Sequence, residues 1–106
     1  KWLDTSNVTT MSSTFFYARY VPSIDVSTWQ TPKLANMNGT FSDMNNIQEL
    51  DLSSFDFSLV TYSSSSFRNN PKLKTIYVGN QAVKTFVENI LGAGAGSTTG
   101  VSVIIK

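Results

Sequence analysis

Two aspartates, Asp25 and Asp51, sit 26 residues apart in matching surroundings, Ile24-Asp25-Val26-Ser27 and Leu50-Asp51-Leu52-Ser53, with Glu49 beside the second. On neighbouring parallel strands such equivalent residues would stand about 5 Å apart. A pair of carboxylates at about 5–5.5 Å is what a retaining glycosidase uses. With Glu49, the same groups offer hard oxygen ligands to calcium. A third use is an acidic patch that receives a partner. Strands side by side present a flat face, with no cleft to exclude water or raise the pKa of one carboxyl. The chain contains no histidine and no cysteine, so the commonest general base, thiolate metal sites and disulfides are all excluded. No acidic loop of recognised calcium-binding spacing accompanies the three carboxylates. The expectation is therefore a non-catalytic protein without a metal or cofactor. Its ligand contacts would be Asp25, Ser27, Glu49, Asp51, Ser53 and Tyr77, with Tyr77 as an aromatic anchor of the kind enriched at interface centres. The competing reading is a solvated face whose aspartates hydrogen-bond locally.

The elements that would position these residues follow from a 26-residue period. Phe15, Phe41 and Phe67 coincide, as do Val8, Leu34 and Val60; Val21, Ile47 and Leu73; Ile24, Leu50 and Ile76; Val26, Leu52 and Val78; and Leu3, Trp29 and Phe55. Met11 and Met37 begin a further column that Ser63 breaks. At 41% apolar composition, chance alone makes about two of 26 such columns wholly apolar, so six is a true repeat. Apolar residues at one station of every turn imply coils that bury a shared core only by stacking. The alternation at Ile24–Ser27, Leu50–Ser53 and Thr75–Val78 predicts short parallel strands. The Thr9–Phe15 stretch and its echoes have apolar spacings of three and four, which suit single helical turns. Tyr62-Ser63-Ser64-Ser65-Ser66 predicts an irregular arc.

Beyond Gly79 the period stops. Val83, Phe86, Val87, Ile90 and Leu91 mark an amphipathic helix over residues 81–91, with Gly92 as its C-terminal cap. A Gly/Ala/Ser/Thr loop follows, and residues 101–105 read as a last strand. The predicted fold is an α/β leucine-rich-repeat-like solenoid of about three 26-residue coils (residues 1–23, 24–49 and 50–74) with short parallel strands and a C-terminal helix–strand cap (residues 75–106). The chain starts at Lys1 rather than a methionine, and the first coil lacks a cap. Further repeats upstream are therefore expected, in a longer surface protein. Phe16, Tyr17 and Tyr20 fall outside the apolar columns and are expected to pack beneath such a preceding coil, or to form an aromatic contact surface.

Composition narrows the partners. The 106 residues suffice for one small domain. Only 14% are charged, the net charge is +1, and Lys and Arg are scattered, which leaves no electrostatic footprint for nucleic acid. No apolar run approaches the roughly 20 residues of a membrane span. Ser, Thr and Asn make up about a third of the chain, so neutral polar groups carry its solubility.

The stretches Leu3-Asp4-Thr5-Ser6-Asn7-Val8-Thr9-Thr10-Met11 and Leu50-Asp51-Leu52-Ser53-Ser54-Phe55-Asp56 resemble the repeat of BspA-type leucine-rich-repeat surface proteins. Leu73-Lys74-Thr75-Ile76-Tyr77-Val78-Gly79 is similar to the close of that repeat. The resemblance spans residues 2–79. Pro32-Lys33-Leu34 and Ser58-Leu59-Val60 depart from its Ser-Asn-Val phrase, and its frequent cysteine is missing. The resemblance implies a secreted or wall-attached bacterial surface protein that adheres to a host or microbial surface protein or glycan. The strand face would be its docking surface. A structural stalk that displays another domain is the alternative.

Overall fold

Leu50, Ile76 and Val103 point inward from three adjacent strands and set the regular part of the core. In the computed structural model, residues 6–15, 24–93, 96 and 98–106 are described. Strand β1 runs Glu49–Asp51, β2 Thr75–Val78 and, after helix α1 at Gln81–Gly92, β3 covers Ser102–Ile105. The sheet order is β1-β2-β3 and both pairings are parallel. Leu50 faces Ile76 and Ile76 faces Val103, while Asp51, Tyr77 and Ile104 occupy the next station. Period-2 alternation thus sends one set of side chains into the core and the other to the outer face.

Helix α1 starts where Asn80, in extended backbone, accepts a hydrogen bond from the Val83 amide at 3.0 Å and caps the first turn. It buries Val83 and Val87. Gly92 is the helix's last residue rather than a cap beyond it: Ala93 occupies the C-cap with right-handed backbone and donates its N–H to the Ile90 carbonyl. Since Ala93 needs no positive φ, the glycine's special conformation is not called upon there.

Between β1 and the chain's earlier part the core is a column of rings. Phe41 is fully buried and stacks on Phe15 at 5.5 Å and on Phe67 at 5.7 Å, while Trp29 stacks on Phe55 at 6.4 Å. A polar column runs beside it. The Thr40 hydroxyl reaches the carbonyls of Met11 and Met37 at 2.7 and 2.8 Å, and Ser66, one period later, reaches those of Met37 and Ser63 at 2.9 and 2.6 Å. Buried Asn70 donates to the Phe41 carbonyl and accepts from the Met44 amide. Each hydroxyl or amide satisfies backbone groups that would otherwise be stranded away from water.

Among the described residues the fold is a small compact domain with one helix and three parallel strands, not the expected solenoid of about three coils. Its extents are 31 × 30 × 24 Å, as broad as it is long. The strand expected at Ile24–Ser27 is absent, the second is cut to three residues, and the arcs expected to hold helical turns are hydrogen-bonded turns. Residues one period apart do touch, through the ring column and through single parallel bridges linking Thr10, Asn36 and Tyr62. These contacts close one core without extending into regular coils. The cause lies in the polar residues. Asp25, Asp51 and Asp56 each take the N–H of the serine two positions on, at 3.1, 3.0 and 2.8 Å, which bends the backbone and withdraws those amides from any ladder. Leu3, Phe16, Tyr17, Tyr20, Val21 and Ser23 lie outside the described residues.

Candidate binding face

The outer face of the sheet collects Glu49 and Asp51 from β1, Thr75 and Tyr77 from β2, and Ser102 and Ile104 from β3. Lys106, just past β3, continues the same alternation. Its ammonium lies 2.6 Å from Asp51 Oδ2 and 5.0 Å from the centre of the Tyr77 ring. The lysine therefore crosses β2, covers the tyrosine through a cation–π contact, and ends on the carboxylate of β1. The other oxygen, Asp51 Oδ1, accepts from the Ser53 amide and from the Ser53 hydroxyl at 2.6 Å. Both oxygens of Asp51 are thus held.

Those contacts set the protonation of the site. Partial burial pushes the Asp51 carboxyl up. Hydrogen bonds from Lys106 and from Ser53 outweigh it and, with the ammonium charge, hold the group at about 2 against an ordinary 3.8. The hydrogen bond to Asp51 in turn raises Lys106. A carboxyl held so low is a weak proton acceptor at neutral pH; it serves as a fixed negative charge.

Of the expected contacts, Asp51 and Tyr77 are cross-strand partners, Glu49 stands one pleat away opposite Thr75, and Ser53 holds Asp51 from beyond the strand. Asp25 and Ser27 lie in a turn, not on the sheet. There the Ser27 hydroxyl donates to Asp25 Oδ1 at 2.6 Å, and the Asp25 pKa is lowered by that bond and by the Ser27 amide, against desolvation and the negative charge of Asp51. The local hydrogen bonding set against the ligand reading in the sequence is therefore present in both aspartates. Among the described residues, no three His, Cys, Asp or Glu side chains stand where they could share a metal ion. Sequence reasoning overlooked Ile104 and Lys106. Carrying the alternation from Ser102 two steps further would have placed both on this face, because side chains of one face recur at every second residue.

Residues 1–90 match the family described as Mycoplasma protein of unknown function, DUF285. The chain belongs to that family. No curated protein and no solved structure matches it. The span matched to DUF285 takes in β1, β2 and most of α1 but stops short of β3. Asp51 and Tyr77 therefore lie within the DUF285 match, whereas Ile104 and Lys106, which complete the face, lie beyond it.

Proposed function

We propose that the domain is a non-catalytic binding module of a cell-surface protein, and that its partner, a protein or glycan on a host or microbial surface, docks on the outer face of the sheet. The observation that carries this reading is the Asp51–Tyr77–Lys106 cluster. Carboxylate, aromatic ring and ammonium are held in one arrangement on strands whose backbones are paired. Groups fixed before contact spare the partner the entropy of ordering them. Tyr77 offers an amphipathic surface, Ile104 is 43% exposed beside it, and Glu49 adds a second acid at the rim. The likeness of the repeats to BspA-type surface proteins supports the cell-surface setting.

The test is capture of the purified domain on arrayed extracellular-matrix proteins and glycans, followed by the combined Asp25→Ala, Asp51→Ala and Tyr77→Ala variant. All three positions are at or near the surface, so the variant folds. Capture by one partner that is lost in this variant supports docking on the face. Capture that persists unchanged rejects it and favours the alternative, a structural spacer that displays another domain.

A further inference from the structure

A second concave feature uses none of the sheet-face residues. The serine turn after Tyr62 and one flank of α1 enclose an open cleft of about 430 Å³, bordered by Ser64, Ser65 and Arg68 on one side and by Phe86, Asn89 and Ile90 on the other. That volume falls in the range of small-molecule sites, about 300–1,000 Å³. Arg68 is its single charge, and no carboxylate borders the cleft among the described residues. Among the described residues, the hydrogen bonds Arg68 makes are through its backbone: its N–H donates to the Ser65 carbonyl, and its carbonyl accepts from the Asp43 amide and the Ser42 hydroxyl. No ion pair engages its guanidinium among the described residues. Five donors in a planar fork are thus left exposed at the mouth of a polar cleft.

The lining is mixed in a way that selects among anions. A lone guanidinium suits a carboxylate, which it grips through two parallel hydrogen bonds. A phosphate, with nearly twice the charge, calls for more than one cation. The two serine hydroxyls and the Asn89 amide both donate and accept, matching the hydroxyls of a sugar ring. Phe86, half-buried with its ring stacked on Phe57 at 5.2 Å, and Ile90 supply an apolar wall for the C–H face of such a ring. We propose that this cleft binds an acidic monosaccharide unit of the hexuronate class, with Arg68 holding the carboxylate and Ser64, Ser65 and Asn89 reading the ring hydroxyls.

The experiment is a titration of the ¹⁵N-labelled full chain with sodium glucuronate, followed by heteronuclear NMR, with glucose and sodium acetate as separate arms at matched ionic strength. An open cleft with one charge predicts a Kd of about 1–10 mM, with shifts at the amides of residues 63–68 and 86–93. Glucose and acetate, each lacking one half of the recognition, bind at least about tenfold more weakly. Arg68→Ala loses about tenfold in glucuronate affinity, and Arg68→Lys recovers only part because a point charge replaces the fork. Asn89→Ala weakens glucuronate and leaves acetate unchanged. Arg68 and Asn89 are exposed, so each variant keeps the parent spectrum elsewhere. The proposal is overturned by an absence of shifts, by shifts confined to the sheet face, or by glucose or acetate binding as well as glucuronate. It is equally overturned by an Arg68→Ala variant that binds glucuronate unchanged, or by Asn89→Ala weakening acetate as much as glucuronate.

Discussion

Truncating Phe41 to alanine tests whether the ring column is the core of this domain. The side chain has no exposed surface and touches three other rings: Phe15 and Phe67 stacked above and below, and Phe55 edge-on at 6.4 Å. An aromatic side chain buries about 150–250 Å², which at about 25 cal/mol per Å² corresponds to about 4–6 kcal/mol before the compactness of the unfolded chain is considered. Measured losses for Phe→Ala in cores, about 3–5 kcal/mol, agree with that figure once partial collapse is included. A chain of 106 residues has about 5–15 kcal/mol in total, so Phe41→Ala removes a large share and leaves a marginal fold. With a urea m-value of about 1–1.5 kcal/mol per molar, a 4 kcal/mol loss lowers the unfolding midpoint by about 3 M. The assay is urea unfolding followed by circular dichroism, with Leu59→Ala as the control. Leu59 is 55% exposed, and its truncation changes stability by less than about 0.5 kcal/mol. Phe41→Asp, which adds an unpaired buried charge, leaves no cooperative transition. A Phe41→Ala loss no larger than that of Leu59→Ala refutes the placement of this column in the core.

Four further outcomes are expected. Gly79→Ala destabilises by about 1–3 kcal/mol in the same urea assay, because its Cβ would stand 2.5 Å from the Ser53 carbonyl oxygen, a backbone atom with little room to retreat. Gly92→Ala, with nothing within 4 Å of the added carbon, instead stabilises by about 0.5–1 kcal/mol, since it restricts the unfolded chain and suits a helix. Asn80→Ala costs about 1 kcal/mol by uncapping α1, read as a lower thermal midpoint. Stability also falls with acid. The Asp51 carboxyl is depressed in the folded state, so its contribution is complete above the unfolded value of 3.8 and is lost as pH falls through about 2. The full span would represent about 2.4 kcal/mol, which solvent screening of a pair this open reduces to about 1 kcal/mol or less. Unfolding measured between pH 2 and pH 6 shows this loss in the parent and a smaller one in Lys106→Ala; equal acid sensitivity in both would count against the pairing.

The alternation of apolar and polar residues reported which side chains turn inward, and that much was legible. Leu50, Ile76 and Val103 are buried, and Val83 and Val87 pin the helix as their spacing indicates. Val26 is also buried, at 2% exposure, yet no strand forms around it. A period of two states where a side chain points; it does not state whether the backbone beside it has a partner. Asp25 answers that question locally by bonding Ser27. The polar column was hidden for a different reason. Ser66 lies in a run of four serines that reads as solvated loop, since serine is mostly exposed, whereas it is fully buried. Its hydroxyl is satisfied by the Ser63 carbonyl three residues back and by the Met37 carbonyl 29 residues away, and the second partner leaves no local trace. Thr40, one period earlier, carries the same hydroxyl and is the trace the sequence does contain. The alternation from Ser102 places Lys106 on the face, but its pairing with Asp51, 55 residues away, leaves no local pattern.

The aspartates and the serines beside them do not play equal parts. Ser53 spends both its amide and its hydroxyl on Asp51 Oδ1, and Ser27 does the same for Asp25. A hydroxyl whose proton is already committed within the turn has only lone pairs left to offer a partner. Ser27 and Ser53 therefore act through the carboxylates they orient. The consequence is measurable in one residue. Ser53→Ala removes one bond to the ionised carboxylate and keeps the backbone one, so the Asp51 pKa rises from about 2 toward 3.8 without reaching it, because Lys106 still lowers it. Carboxyl ¹³C chemical shifts followed against pH resolve that movement. If Ser53 were also a direct contact, its replacement would weaken partner binding further even in an Asp51→Ala background, where no carboxylate remains to orient. A further loss in that background would transfer the serine from positioning to contact, and would make the strand end at Asp51, rather than its carboxylate alone, the centre of the face.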